Sequence, residues 1–204
     1  MTTIDLPDRA PDTAGERARR AMIDSQLRPS GVNAVTVLRR MGQVPREDFV
    51  PPQARALAYM DRALHLPGGG WLPAPLVQGL TLQEAAITGS ERAIVVDAGS
   101  GYLAELVRPL VASLDVLTPA AALLPGAGGP EADLLLVDGA AEQLPEPLIE
   151  RLAEGARIVT GILENGVTRL AAGRKAGGRA ALIPLYDLGI PVIAAFERPR
   201  RWSF

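Results

Sequence analysis

The stretch that decides the fold is Arg92-Ala93-Ile94-Val95-Val96-Asp97-Ala98-Gly99-Ser100-Gly101-Tyr102. A short apolar run ends in an acid and a Gly-x-Gly turn, and a helical pattern follows. This order predicts a buried strand, a tight loop and the start of a helix. Glycine has no Cβ and tolerates positive φ, so the loop allows a ligand to approach the backbone closely. Many parallel sheets need the same turn for structural reasons alone, and the pattern by itself does not separate the two interpretations.

Downstream of this stretch, apolar runs alternate with helical patterns. Fully apolar strands that alternate with helices predict a parallel sheet covered on both faces, which is a three-layer α/β fold. We expect strands 94–98, 134–138 and 157–162 to lie adjacent and parallel at the sheet centre. The other predicted elements are a strand at 114–117, helices at 102–112 and 148–153 (with Gly155 as C-cap), and three terminal strands at 166–174, 179–186 and 192–197.

The sequence before residue 91 has a different character. Residues 1–15 are polar and are interpreted as a mobile leader, and residues 16–90 as an N-terminal helical cap with a glycine-rich, substrate-type loop, after which residues 76–87 form a predicted helix. Asn33 is a candidate N-cap for the second helix of this region. Prolines between residues 44 and 52 interrupt the helical pattern. Residues 91–204 then form the α/β core.

The composition excludes several classes of site. The chain has 204 residues, a formal net charge of −2 and no cysteine, which excludes disulfides, thiolate metal sites and cysteine nucleophiles. We find no metal-ligand spacing, no Ser-His-Asp arrangement and no phosphate loop. The absence of a signal-peptide pattern and of a membrane-length apolar run favours a cytoplasmic protein without a membrane partner. The mixed charge gives no indication of a nucleic-acid partner, and the oligomeric state is not decided.

Several strings together resemble one known family. The most specific is Val44-Pro45-Arg46-Glu47-Asp48-Phe49-Val50-Pro51, and further matches lie at 21–27, 58–61, 96–102, 137–141, 152–159 and 196–199. The chain resembles the protein-L-isoaspartate O-methyltransferases, in particular a bacterial branch, over most of residues 18–204. The resemblance implies a seven-stranded, Rossmann-like, S-adenosylmethionine-dependent methyltransferase fold. It also implies methylation of isoaspartyl carboxylates in damaged proteins, so that the partner would be a protein or peptide substrate.

The resemblance also assigns residues to a site. Asp97, Gly99, Ser100 and Gly101 would line the methionine end of the cofactor, where a carboxylate suits a cationic ammonium group. Asp138 ends a predicted central strand at the edge where ligands bind in such folds, although it could equally cap the next segment. No residue is assigned a catalytic role.

The ribose end of this site departs from the expected pattern. Nucleotide sites usually place an acid at the end of the strand that follows the glycine loop. Here Asp115 lies at the wrong end of that strand, and the best polar candidate is the neutral Thr118. Residues 118–131 are too short and too rich in Gly and Pro for the expected strand and helix, since a βαβ unit takes about 30 residues. We therefore expect one βα unit to be deleted and cofactor binding to be weak or absent.

The substrate loop also departs from the family string. Gly70, Trp71 and Pro73 occupy it, and Trp71 and Pro73 replace the Thr and Ser of the family. His65 fits a structural role better than that of a general base, and Arg46-Glu47-Asp48 fits a charge cluster at a helix start better than an acid–base set. Two hypotheses remain. One is an S-adenosylmethionine-dependent enzyme, and the other is a catalytically silent relative that serves as a binding or scaffold module.

Overall fold

The computed structural model describes residues 13–126 and 128–198. A two-stranded hairpin precedes a six-stranded sheet in the order β4-β3-β5-β6-β7-β8. The hairpin consists of β1 (Leu64–His65) and β2 (Trp71–Leu72). The sheet strands are β3 (Arg92–Val96), β4 (Ser113–Leu117), β5 (Ala132–Ala141), β6 (Leu152–Glu164), β7 (Val167–Ala176) and β8 (Arg179–Asp187).

Short helices surround the sheet. They are α1 (Ala14–Met22), which continues as a π-helical turn (Ile23–Leu27), α2 (Val35–Gln43), α3 (Pro75–Ala85), α4 (Tyr102–Val107), α5 (Pro119–Ala122) and α6 (Glu146–Glu150). Four 3₁₀ turns complete the described part: Arg46–Phe49, Pro52–Leu57, Arg108–Leu110 and Ala194–Phe196. The prolines at 51 and 52 explain why the first two of these turns do not join into one helix.

The central strands have the arrangement that their apolar runs predict. β4, β3, β5 and β6 are parallel, and Val95 lies between Val116 on one side and Leu136 on the other. Side chains from both faces of β3 and β5 are buried, which requires cover on both sides. The prediction that residues 94–98, 134–138 and 157–162 form adjacent parallel strands is confirmed. β7 and β8 add antiparallel strands at one end.

The helical part and the sheet share one core. The larger apolar cluster joins Met22, Leu38 and Met41 to Val95 and Leu136 of the sheet. A smaller cluster covers the opposite face beneath α6 and the last 3₁₀ turn. The described residues of the ranges 16–90 and 91–204 therefore share one apolar core.

The sheet ends at β4 on the side where the sequence lacks a unit. Among the described residues between β4 and β5 there is one four-residue helix, α5, and no strand. The six strands are one fewer than the seven that the resemblance implies. Val116 on β4 and Leu124 after α5 are both exposed, so this edge has no further layer of described residues over it.

Two predicted elements are wrong because tertiary pairing overrides local pattern. Helix α6 ends at Glu150, and β6 begins at Leu152, which is buried and pairs with Ala132. Gly155 is therefore not a helix C-cap; it has φ +82° at a register shift within β6. Residues 192–197 form no strand but a single bridge from Val192 to Ala140, followed by the last 3₁₀ turn.

Helix starts also differ from the predictions. Asn33 does not cap α2; instead Gln83 Oε1 accepts from the Asn33 and Ala34 N–H groups at 2.7 and 3.0 Å. Helix α1 begins at Ala14 with Thr13 as N-cap, inside the range 1–15 assigned to a leader. Residues 1–12 of that range lie outside the described residues.

Candidate functional site

The glycine loop joins β3 to α4 and is held by its own acid. Asp97 Oδ2 accepts from the Gly99 N–H at 2.9 Å, and Oδ1 accepts from the Gly101 N–H at 2.7 Å. Gly99 has φ +111° and Gly101 φ +74°, a region that favours glycine. Ser100 Oγ accepts from the Tyr102 N–H at 3.2 Å. The acid therefore orders the turn whether or not a ligand is bound.

The substrate loop contacts this turn backbone to backbone. The Trp71 N–H donates to Ala98 O at 2.9 Å. A Cβ on Gly70 would lie 2.8 Å from Ala98 O, and one on Gly99 would lie 3.1 Å from the Gly70 Cα. The structure thus brings Gly70 and Trp71 to the glycine loop. The Trp71 ring packs edge-on against His65 with 4.8 Å between centroids, so the histidine supports the hairpin.

A buried cation lies behind the two loops. Arg46 is fully buried; its Nε donates to Ala58 O at 2.7 Å, Nη1 to Gln78 Oε1, and Nη2 to Pro73 O. The guanidinium also stacks 4.9 Å from the Tyr102 ring centroid. Arg46 begins the 3₁₀ turn Arg46–Phe49, so the three charged residues do lie at a helix start, but the arginine side chain is buried in the core. Burial lowers the pKa of this guanidinium, and three hydrogen-bond acceptors satisfy it.

Asp138 is the second member of this network. Gln78 Nε2 donates to both carboxylate oxygens at 3.0 Å, and the residue is only 1% exposed. Burial raises the pKa of Asp138 to about 7, with Asp97 also raising it and Gln78, Arg46 and Ser100 lowering it. β5 does not end at Asp138 but runs on to Ala141. The carboxyl group thus changes charge near neutral pH inside the site.

Sequence reasoning missed Gln78 and Tyr102. Gln78 is fully buried on α3, whose neighbouring positions are almost all apolar, and that contrast was a usable signal. The Tyr102 hydroxyl is buried and makes no well-formed hydrogen bond, and burial raises its pKa to about 12. Phe49 packs edge-on against its ring at 5.2 Å. Together these residues form a floor of rings and amides under the glycine loop.

The end of β4, where the ribose side of the candidate site would lie, has no buried hydrogen-bond network like that around Arg46 and Asp138 among the described residues. Thr118 lies at the end of β4, is exposed, and accepts from the Ala121 N–H at 3.2 Å to cap α5. Asp115 is exposed in the middle of β4, where it pairs with Ile94. It is the only acid in residues 113–126. The end of β4 and the segment that follows it to residue 126 therefore carry no carboxylate beyond the mid-strand Asp115.

Metal sites and membrane-spanning helices were also sought among the described residues. No group of three His, Asp or Glu side chains there could hold a metal ion. No described helix is long and apolar enough to cross a membrane.

Comparison with known proteins identifies relatives of this chain. Residues 17–116 match the family model for protein-L-isoaspartate(D-aspartate) O-methyltransferase, a match that stops at the last residues of β4. A protein-L-isoaspartate O-methyltransferase 2 of Anaeromyxobacter is 33% identical over 71% of this chain and 69% of its own length. A protein-L-isoaspartate O-methyltransferase of Methanoculleus marisnigri is 29% identical over 88% and 93%. A proposed Plasmodium falciparum enzyme of this name, crystallised with S-adenosyl-L-homocysteine, shares the fold with a TM-score of 0.65 and 18% identity over 90% of this chain and 100% of its own.

Proposed function

This chain belongs to the protein-L-isoaspartate O-methyltransferase family, and we propose that it binds S-adenosylmethionine weakly, through the methionine half alone, and methylates isoaspartyl carboxylates slowly. The observation that carries the proposal is the contrast between the ordered Asp97 loop and the neutral Thr118 at the end of β4. The ordered Asp97 loop supports a cofactor site of the family type. The neutral Thr118 supports a low affinity for the cofactor.

The chemistry assigned to this chain is mainly positional. When bound, the cofactor supplies an electrophilic methyl group. The chain's own task is to hold an acceptor carboxylate in line with it, because methyl transfer needs little proton movement and gains its rate from alignment. Asp97 would attract the ammonium group of the cofactor, and the hairpin loop around Gly70 and Trp71 would lie beside the acceptor. Asp138 and Arg46 support these loops from below.

The expected loss of affinity follows from the missing partners. A lost hydrogen bond to a charged group costs about 1.5–3 kcal/mol, which is about tenfold to a hundredfold in affinity. The absent strand and helix beyond β4 remove the wall that would enclose the adenine as well. Both losses fall on the same half of the cofactor.

Titration calorimetry with S-adenosylhomocysteine tests the cofactor site. We expect a dissociation constant weaker than about 100 µM. A micromolar or tighter value would show that residues 118–131 rebuild a ribose and adenine site. No detectable binding at millimolar ligand would contradict the cofactor proposal and favour the alternative below.

A radiolabelled-methyl assay on an isoaspartyl peptide tests the reaction. The unmodified chain should transfer label slowly, and the double variant Trp71→Thr, Pro73→Ser should be no faster, because the cofactor is still held poorly. Robust turnover by the unmodified chain would refute the proposal. Activity in the double variant alone would place the defect in the substrate loop.

The second candidate is a non-catalytic binding or scaffold module. The missing strand beside β4 favours it, since the fold and its buried network persist without the adenine wall. The cytoplasmic location and the absence of a nucleic-acid partner stay predictions.

A further inference from the structure

A closed ring of contacts joins the substrate loop and the glycine loop to Asp138, and we call it the contact ring. At one point the two loops meet directly, where the Trp71 N–H donates to Ala98 O at 2.9 Å. Behind this contact, Ser100 of the glycine loop interacts with the Asp138 carboxyl group and favours its charged form. The contact ring then returns to the substrate loop through two buried side chains.

Gln78 and Arg46 are these two side chains. Gln78 Nε2 donates to both oxygens of Asp138 at 3.0 Å, and Gln78 Oε1 accepts from Arg46 Nη1. Arg46 Nη2 donates in turn to Pro73 O of the substrate loop. The Gln78 amide cannot turn over, because its NH₂ group would then face a guanidinium, which has no acceptor. The contact ring is therefore held in one orientation.

The carboxyl group inside the contact ring is shielded from water. Asp138 is 1% exposed, and both Gln78 and Arg46 are fully buried. Burial raises the pKa of Asp138 to about 7; Asp97, which follows β3, raises it further, whereas Arg46 and the hydrogen-bond donors lower it. A separation of the two loops breaks the contact ring and admits water to the carboxyl group, which favours its charged form.

We propose that Asp138 is a positioning residue for the two loops, and that the loss of its proton loosens their contact. The closed state holds the protonated acid, and the open state holds the solvated carboxylate. Each opening event below about pH 7 therefore releases a proton. The equilibrium constant for opening rises by up to about tenfold per pH unit between about pH 4 and 7, and then levels off. A ligand that needs both loops closed is held more weakly as the pH rises through this interval.

Amide hydrogen exchange, measured by NMR on the free protein, tests the proposal independently of the cofactor and of activity. The Trp71 N–H reports the contact between the loops, and its protection factor corrects for the intrinsic effect of pH on exchange. We expect this factor to fall by about tenfold to fiftyfold between about pH 5 and 7 and then to level off. Dilute urea should not accelerate the exchange, because the opening is local rather than global.

The Thr88 N–H is the matched control amide. It donates to Glu91 Oε1 at 2.9 Å. Burial opposes the ionisation of Glu91, but hydrogen bonds from Thr88 and Gly89 outweigh it and lower its pKa to about 2, so this carboxylate keeps its charge across the interval. The protection factor of Thr88 should therefore not vary with pH.

Three variants identify the group that titrates. Asp138→Asn should make the protection of Trp71 independent of pH. Gln78→Met should do the same, since it breaks the contact ring and leaves Asp138 in place. His65→Phe should keep the pH dependence, and it is needed because the histidine ring packs against Trp71 and histidines commonly change charge in this interval.

Each other outcome overturns the proposal. Protection of Trp71 that is constant with pH in the unmodified chain shows that Asp138 is not linked to the loops, and this result needs no variant to fold. A pH dependence that survives Asp138→Asn, or is lost in His65→Phe, belongs to another group. One that survives Gln78→Met shows that the contact ring does not carry the coupling. A parallel change at Thr88, or acceleration by dilute urea, shows that the opening is not confined to the loops.

Discussion

The two halves of the candidate cofactor site differ in what else their residues do. On the methionine side, Asp97 orders its own loop, Gly70 and Gly99 allow two backbones to touch, and Arg46 satisfies two buried carbonyl groups. On the ribose side, Thr118 only caps a four-residue helix. The contacts that these family motifs make in the structure are ones that stabilise the fold itself. Family motifs that also stabilise the fold are therefore weak evidence of catalysis.

The largest expected effect comes from breaking the buried network on the methionine side. Arg46→Met keeps much of the volume but leaves Asp138, Gln78 and two carbonyl oxygens without their cation. Removing one partner of a buried ionic network costs about 3–5 kcal/mol, and we expect this loss in the free energy of unfolding measured with urea. Arg55→Met, at an exposed position of the neighbouring 3₁₀ turn, should cost less than about 0.5 kcal/mol. Equal effects would contradict the structural role of Arg46.

The second prediction concerns the charge of Asp138. Its pKa is raised from 3.8 to about 7 in the folded protein, so the fold favours the protonated acid. Its contribution is fully present below about pH 4, declines as the pH rises, and levels off above about pH 7, a change of about 4 kcal/mol. Asp138→Asn should lack this decline, so that its stability relative to the unmodified chain rises across that interval. A difference that does not vary with pH would show that Asp138 is ionised throughout.

Glu91 is expected to change the stability with pH in the opposite direction to Asp138, because its pKa is lowered in the folded protein. Burial opposes its ionisation, but hydrogen bonds from Thr88 and Gly89 outweigh this and lower its pKa to about 2. Its stabilising contribution is present above about pH 4.5 and is lost as the pH falls toward 2. Glu91→Gln should therefore lose stability relative to the unmodified chain as the pH rises through this range, whereas Asp138→Asn gains it.

The third prediction tests the contact between the two loops. Gly70→Ala places a Cβ 2.8 Å from Ala98 O, so one loop must move. We expect a loss of about 1–3 kcal/mol in the free energy of unfolding, the usual cost of overpacking. Gly189→Ala, where nothing lies within 4 Å of the new Cβ, is the control. Similar stabilities for the two variants would mean that the loops separate readily.

The smallest effect is expected from a substitution that adds a carboxylate on the ribose side of the candidate site. Thr118→Asp introduces a carboxylate at the end of β4 and keeps a good N-cap for α5. One charge-assisted hydrogen bond should strengthen S-adenosylhomocysteine binding by about tenfold, measured by calorimetry. Asp115→Asn, in the middle of the same strand, should leave the affinity unchanged. No gain in the Thr118 variant would indicate that the absent adenine wall limits binding by itself.

The sequence predicted the sheet centre well because apolar runs such as Ile94–Val96 can only be buried on both faces. It failed at α6 and β6, where a helical pattern gave way to pairing between Leu152 and Ala132. It also failed at Asn33, which does not cap α2; the N–H groups of Asn33 and Ala34 that precede the helix donate to Gln83, which is distant in sequence. Local pattern determines strands in the core more securely than element boundaries, which depend on partners far along the chain.

The candidate site was predicted in part. The turn after β3 was predicted from its Gly-x-Gly motif, whereas the contact between this turn and Gly70 was not predicted. The link from Arg46 through Gln78 to Asp138 joins residues separated by 32 and 60 positions, and no local pattern reports such contacts. The burial of Arg46 was not predicted, because a charged residue in a polar string normally indicates exposure, and only the fold shows the three acceptors that satisfy its guanidinium.

The hydrogen bond from the Trp71 N–H to Ala98 O ties the hairpin to the glycine loop. A ligand that shifts one loop must also shift the other, so a cofactor and a peptide held by the two loops would be coupled thermodynamically. Such coupling is reciprocal: the factor by which a peptide alters cofactor affinity equals the factor by which the cofactor alters peptide affinity. The two loops would therefore respond to ligands as one unit. This coupling of binding does not require turnover of substrate.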